Sequence, residues 1–471
     1  MLQTSGLGLG SLALTWMMES QGIGSSRSGT PENLLAREGH FDPQAKAIIM
    51  MVQNGGPSQM DLFDEKPELT KHNGKRHTDP IEQFQAGSES QTLLGSPFKF
   101  LPHGECGTKF SEIVPHIGSV ADELCVVRSM VSEHNNHTEA LVLLNTGKVF
   151  PGRPALGSWV SYGLGTENQN LPAYIVLRDA DGYNTSGTLL WQNGWLPAMY
   201  GGTEVATKGT PILNLRPQVP RPEQADRENL SLLAKLNRAH QRNYVDESDL
   251  ESRIQNYELA ARMQIEAPEL LDLSKESQET QKLYGLDNPL TAGYGLRCLM
   301  ARRLVESGVR FVQIFPPVKP HFQPWDSHKD TKGLLTKICG RTDQPAAALI
   351  KDLKQRGLLE STLVIWSGEF GRLPISQNGK GRDHNRNAFS LLLAGGGFKA
   401  GYTHGATDEF GYRSVEKRVT VQDLHATILH QLGIDHRRLT YKLHGSDESL
   451  TDARVSDAQV VGELLRKPVR I

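Results

Sequence analysis

At 471 residues, 38% hydrophobic and 22% charged, the chain has a globular composition and the length of two ordinary domains or one large α/β domain with insertions. A formal charge of −2 gives no electrostatic case for nucleic acid or an anionic membrane surface as partner. Cys106, Cys125, Cys298 and Cys339 are widely spaced and form no C-x-x-C pair, which argues against a zinc–thiolate site and favours buried free thiols over disulfides.

Leu7–Trp16 is an apolar run of signal-peptide length, too short to span a bilayer, and Ser25–Asn33 then turns polar. No Lys or Arg precedes the run, so either the natural start lies upstream or the segment is a loose end; export is the expectation. No later stretch is long and apolar enough for a transmembrane helix.

Ala45–Val52 reads as the first strand, apolar on both faces as in a parallel sheet. It runs into Gln53, Asn54, Gly55 and Gly56, where glycines permit a sharp turn or close approach to a ligand. Asn54 offers an amide oxygen there, although a tight turn capped by Asn and Ser explains the same residues. Phe110–Val120 has helical spacing, and Glu123–Arg128 reads as a strand. The strand feeds a loop with His134, Asn135, Asn136, His137, Thr138 and Glu139, and a helix begins near Thr138. A helix amino terminus favours an anion there, and a helix cap with exposed histidines is the alternative.

Pro151–Gly165 predicts a helix, Ala173–Leu177 a strand and Thr188–Leu196 a loop excursion. Glu228–Lys282 is charged, with apolar residues at three- and four-residue spacing, and predicts one or two long helices in a peripheral insertion. Leu296–Glu306, stopped by Gly308, is an amphipathic helix, and the strand Val309–Phe315 follows as half of a βαβ unit. Its exit loop carries Asp326 and His328. Two apart in an extended segment, their side chains share one side, which suits a divalent metal.

Thr342–Arg356 is the next helix and Ser361–Ser367 the next strand, with Glu369 and Arg372 just beyond it. A polar loop with Arg382, Asp383, His384, Asn385 and Arg386 separates it from the strand Phe389–Ala394. A strand ending in a carboxylate, with Asp-His on the next loop, has the ingredients of an oxygen- and nitrogen-ligand metal site, or of an acidic loop beside salt-bridged arginines. Thr420–Leu432 closes the fold as an amphipathic helix whose His425 and His430 read as packing or surface residues. Strands separated by helices, with acidic, amide and histidine residues where strands end, predict an α/β, doubly wound, mostly parallel sheet with its site on one edge.

The runs NGGPSQMDLFDEKP, EHNNHTEA, LMARRLVESGVRFVQIF, PWDSHKD, TLVIWSGEFGRLP, GRDHNRNAFSLLLAGGG and GATDEFG, in that order, resemble the motifs of the bacterial "domain of unknown function 1501" family. That family is often labelled sulfatase-like and is similar to the alkaline-phosphatase superfamily. The resemblance implies one alkaline-phosphatase-like domain over residues 40–465 with a helical insertion at about 228–282. It also implies that residues 1–30 are the remnant of a twin-arginine export signal, truncated in this sequence, with its linker, which would make the protein periplasmic. The implied activity is metal-dependent hydrolysis of sulfate or phosphate esters, on an anionic substrate such as a sulfated polysaccharide.

On this resemblance Asn54, Asp326, His328, Glu369, Asp383 and His384 would hold divalent metal (Ca, Zn, Mg or Mn). Thr138 would supply a nucleophilic hydroxyl and His137 a general acid. Arg372, Arg382 or Arg386 would neutralise the ester's oxygens. The sequence also departs from the pattern. It has no Cys-x-Pro-x-Arg sulfatase motif, counting back from Thr146-Gly147 reaches His137, and the superfamily's Asp-His pair corresponds to Glu369-Phe370. Those departures leave a second expectation, a non-catalytic or polymer-binding member of the same fold.

Overall fold

Strand β1 (Ala47–Val52) is buried along its whole length because its alternate side chains enter two separate cores. Ile49 and Met51 join one core, and Ile48, Met50 and Val52 the other. The computed structural model describes residues 33–206, 223–241, 254, 258–259, 263, 272–319 and 322–470. The expected export segment, and much of the expected insertion at 228–282, lie outside the described residues. Two helices overlap that insertion at its ends, Glu223–Gln241 and the short Gln278–Leu283.

The remaining strands of the main sheet are β2 (Leu124–Val131), β3 (Tyr174–Leu177), β4 (Thr203–Glu204), β5 (Phe311–Ile314) and β6 (Thr362–Ser367). Beyond a two-stranded ribbon, β7 (Gly371–Gln377) and β8 (Gly381–Asn385), come β9 (Phe389–Ala394), β10 (Tyr402–His404) and β11 (Val419–Thr420). The sheet has nine strands in the order β10-β2-β9-β6-β1-β5-β3-β4, with β11 also alongside β2. β1 runs parallel to both β5 and β6, whereas β9 is antiparallel to both of its neighbours. The sheet is therefore mixed but mostly parallel. The exception has a cause: a parallel return needs a long crossover, and the chain between β6 and β9 stays at one edge and folds into the ribbon.

Helices cover both faces. Helices α1 (His137–Thr146), α2 (Leu156–Leu164) and α6 (Val421–Gln431) supply Leu141, Trp159 and Ile428 to one core. The other face is covered by α4 (Ala292–Glu306) and α5 (Thr331–Gln355), through Leu299, Leu304, Leu335 and Leu349; helix Glu223–Gln241 is α3. Thr420 caps α6 in a reciprocal box with Asp423, and His425 packs inside, its Nε2 2.9 Å from the Leu144 carbonyl. Among the described residues no helix is long and apolar enough to cross a membrane.

Three expectations change. Phe110–Val120 is not a helix: Thr108–Ser111 pairs with Phe100–His103, and only Pro115–Gly118 is helical. Pro115 lacks the N–H that a helix arriving from upstream would need, so it starts a turn instead. α5 begins earlier than Thr342, where the Asp330 side chain accepts from Gly333 N at 3.0 Å. The polar loop at Arg382–Arg386 is largely strand β8. All four cysteines are free, with Cys125, Cys298 and Cys339 buried but Cys106 exposed.

Candidate metal centre

The carboxyl ends of four mutually parallel strands, β1, β2, β5 and β6, meet at one edge of the sheet, the place where an open α/β sheet gathers polar groups over a rigid floor. The segment after β5 carries Asp326 and His328 across the tip of β1. It is pinned there by Trp325, whose Nε1 donates to Gln53 Oε1 at 3.0 Å, and by Arg382 N, which donates to Ser327 O at 3.1 Å. Gly55 makes the approach possible: its φ is +117°, and a Cβ there would lie 2.7 Å from both Trp325 N and Asp326 N. Gly55→Ala is expected to cost more than about 2 kcal/mol, because left-handed strain adds to a clash with backbone. A urea unfolding midpoint unchanged from wild type would contradict this.

His137, Asp326, His328 and His384 each present one donor atom, and these atoms all lie within 4.8 Å of one another. Asp326 Oδ1 is 3.0 Å from His328 Nε2, 3.6 Å from His384 Nε2 and 3.7 Å from His137 Nε2. The far side of every imidazole is committed to an acceptor. His137 Nδ1 donates to Glu369 Oε1 at 2.5 Å, and His384 Nδ1 to the Asn135 carbonyl at 2.6 Å. His328 Nδ1 donates to Gln377 Oε1, whose amide is oriented by its own Nε2 donating to Ala86 O.

With Nδ1 protonated, Nε2 carries a lone pair in each ring. His328 Nε2 and His384 Nε2 face each other at 2.8 Å, an arrangement that two bare lone pairs disfavour and a shared cation relieves. Three imidazoles held by outer acceptors, plus one carboxylate, therefore fit a divalent metal ion.

The charges agree. Burial alone would raise the Asp326 carboxyl, but the Arg372 guanidinium and the three histidines hold it far below the usual carboxylate range. Burial, helped by Arg372 and His137, pushes His384 down to about 2 against the pull of Asp326, so it stays a neutral ligand. Burial lowers His137 as well, yet the nearby Asp326 and Glu369 carboxylates more than reverse that. His137 therefore sits where positive charge is favoured.

Residues 45–465 match the model for "Protein of unknown function (DUF1501)". The chain belongs to the DUF1501 family. No curated protein matches it. Among solved structures, this DUF1501 chain is similar to Ps i-CgsB in complex with k-i-k-neocarrahexaose, at 12% identity over 88% of this chain and 77% of that one, with a TM-score of 0.38. The PsFucS1 sulfatase from Pseudoalteromonas sp. is 13% identical over 83% and 68%, at 0.35. The phosphonate monoester hydrolase of Agrobacterium radiobacter is 11% identical over 90% and 77%, at 0.36. These scores are too low to transfer an activity.

In this DUF1501 protein the expected ligands divide. Asp326, His328 and His384 share the donor cluster, and His137, expected as a general acid, joins them. Asn54 does not: its Oδ1 accepts from Asn184 Nδ2 at 2.7 Å and its Nδ2 donates to Phe322 O at 2.9 Å, so both ends of the amide are used beside the cluster. Asp383 is spent on backbone. Its Oδ2 accepts from Phe84 N and Gln85 N, each at 2.7 Å, which lays the Phe84 ring on His384 with centroids 4.9 Å apart. Glu369 also lies outside the four-donor group, its oxygens taken by His137 and by Gly55 N.

The expected catalytic residues divide too. Thr138 is exposed on the first turn of α1, outside the donor cluster. Arg386 is on the surface, pairing with Glu82 at 3.2 Å. Arg372 is at the site, but its guanidinium donates to the carbonyls of Gly55, Gly56 and Arg382 as well as to Asp326. Arg382 is buried against Asp61 at 2.7 Å. Sequence reasoning missed Gln377 and Asn135 as holders of the imidazoles. One is a strand glutamine and the other acts through its carbonyl, so neither leaves a local signal.

Proposed function

We propose that this DUF1501 protein is a metal-dependent hydrolase of sulfate or phosphate esters, with one dication held by His137, Asp326, His328 and His384. The observation that carries the reading is the convergence of three Nε2 atoms on Asp326 while every Nδ1 is held from behind. Three nitrogens and one oxygen favour a metal that accepts imidazole, such as zinc, over calcium or magnesium. A dication bound there supplies Lewis-acid polarisation of a non-bridging ester oxygen.

The chain's own groups do the rest. Arg372 keeps Asp326 ionised, and the free N–H groups at the start of α1 favour an anion beside His137. Phe370 packs on His137 and His384 at 4.8 and 4.6 Å, and Phe84 on His384, so bulk water is kept from the rings. The exposed Thr138 hydroxyl, next to His137 on the first turn of α1, is the group that would meet an incoming ester, while Arg386 would first have to leave its pair with Glu82. The proposal extends to a sulfated polysaccharide as substrate and to periplasmic export through a twin-arginine signal; both rest on the family resemblance.

A second reading has its own support. Four protein donors complete a tetrahedral shell, as in structural zinc sites, and Arg372 and Arg382 are already committed. Those facts favour a non-catalytic, polymer-binding member. Screening the purified protein against aryl sulfates and phosphates, with and without chelator, separates the two. Turnover that chelator abolishes is expected; bound metal with no turnover on any ester selects the second reading.

A further inference from the structure

Glu369 is the one fully buried carboxylate at the end of β6, and the four-donor cluster excludes it. We infer that Glu369 is a positioning residue: it holds His137 in the Nδ1-protonated form with Nε2 turned to the cation, and does not itself bind the cation. The inference rests on the metal reading above and assigns a role within it.

The geometry leaves Glu369 little freedom for anything else. Its Oε1 accepts from His137 Nδ1 at 2.5 Å and from Gly55 N at 2.9 Å, while Oε2 lies 3.2 Å from the same Gly55 N. Gly55 is itself fixed by its φ of +117° and by the backbone of Trp325 and Asp326 packed against it. The neighbouring Phe370 ring lies 4.8 Å from the His137 ring and limits its tilt. At the other end of the imidazole, Nε2 is buried with no hydrogen-bond partner.

The three histidines are not held alike. His328 and His384 hydrogen-bond to neutral acceptors, the Gln377 amide and the Asn135 carbonyl, with the Asp383 carboxylate standing off at 4.0 Å from His328 Nδ1, whereas His137 Nδ1 hydrogen-bonds directly to a carboxylate. A carboxylate behind an imidazole fixes its tautomer and raises the basicity of the opposite nitrogen, so His137 is the strongest nitrogen donor of the set.

The test is a double-mutant cycle on cobalt(II) affinity in the full chain: wild type, Glu369→Gln, His137→Ala and the double variant. Glutamine is a close isostere whose single oxygen can accept from both His137 Nδ1 and Gly55 N, so the substitution removes the charge and keeps the contacts. A 10- to 100-fold loss of affinity is expected for Glu369→Gln, with no further loss when His137 is already alanine. Unchanged affinity in Glu369→Gln overturns the inference. An equal loss in both backgrounds also overturns it, because Glu369 would then be touching the ion directly. Wild type that binds no cobalt fails the metal reading instead. A measurement without a variant backs the cycle: in the zinc-loaded wild type, long-range proton–nitrogen correlation NMR is expected to find His137 protonated at Nδ1, and protonation at Nε2 overturns the inference.

Discussion

His384→Ala is expected to lower metal affinity by at least about 100-fold, since losing only an outer partner of a ligand already costs 10- to 100-fold. His384 lies at the middle of the cluster, 2.8 Å from His328 Nε2 and 3.6 Å from Asp326 Oδ1. Removing it leaves three donors and frees the Asn135 carbonyl that held the ring. The fold should survive, because β8 keeps its ribbon pairing through backbone. Metal content by plasma mass spectrometry and helix content by circular dichroism read the two effects apart. Full metal occupancy in a folded variant would exclude His384 from the ligand set.

Arg372→Met is expected to destabilise the chain by about 3–5 kcal/mol, the cost of leaving a buried charge without its partner. Arg372 is fully buried, and its guanidinium donates to Gly56 O at 2.8 Å, Arg382 O at 3.1 Å, Gly55 O and Asp326 Oδ1. Methionine fills the volume and answers none of these acceptors. The sign with pH follows from Asp326, whose folded pKa is depressed by burial being overcome by Arg372 and the histidines. Stability from a depressed carboxylate is present above its unfolded value of about 3.9 and is lost as the pH falls. The gap between wild type and Arg372→Met in urea unfolding should therefore be full at neutral pH and narrow below about pH 4. A gap under about 1 kcal/mol at pH 7 would contradict the structural weight given to this residue.

How much of this was legible depends on which residues were asked. β1, β6 and β9 are apolar on both faces and bounded by glycine or polar turns, so their limits read within a residue or two. Asp326 and His328 were legible as a pair because an extended i, i+2 spacing puts both on one side, and the cluster contains both. The ribbon was not. Gly381–Asn385 is polar yet wholly buried, because Arg382 is matched by Asp61 and His384 by the Asn135 carbonyl, and those partners are remote in sequence.

The same limit hid the division of labour within the site. Asn54, Asp383 and Glu369 have the chemistry of ligands, and whether they bind an ion or hold those that do depends on where their second atoms go. Asn54 is taken by Asn184 and Phe322, and Asp383 by the backbone of Phe84 and Gln85. A histidine at the first turn of a helix reads equally well as a cap, a general acid or a ligand. Only the carboxylate behind His137 and the donors in front of it separate these roles.

X-ray absorption at the metal edge of the purified, full-length protein addresses the cluster itself. A first shell of three imidazole nitrogens and one carboxylate oxygen, at the distances of a four-coordinate zinc-type site, is the expected result. A shell of oxygen alone, or protein that stays metal-free after incubation with zinc, would contradict the assignment of His137, Asp326, His328 and His384 as one ion's ligands.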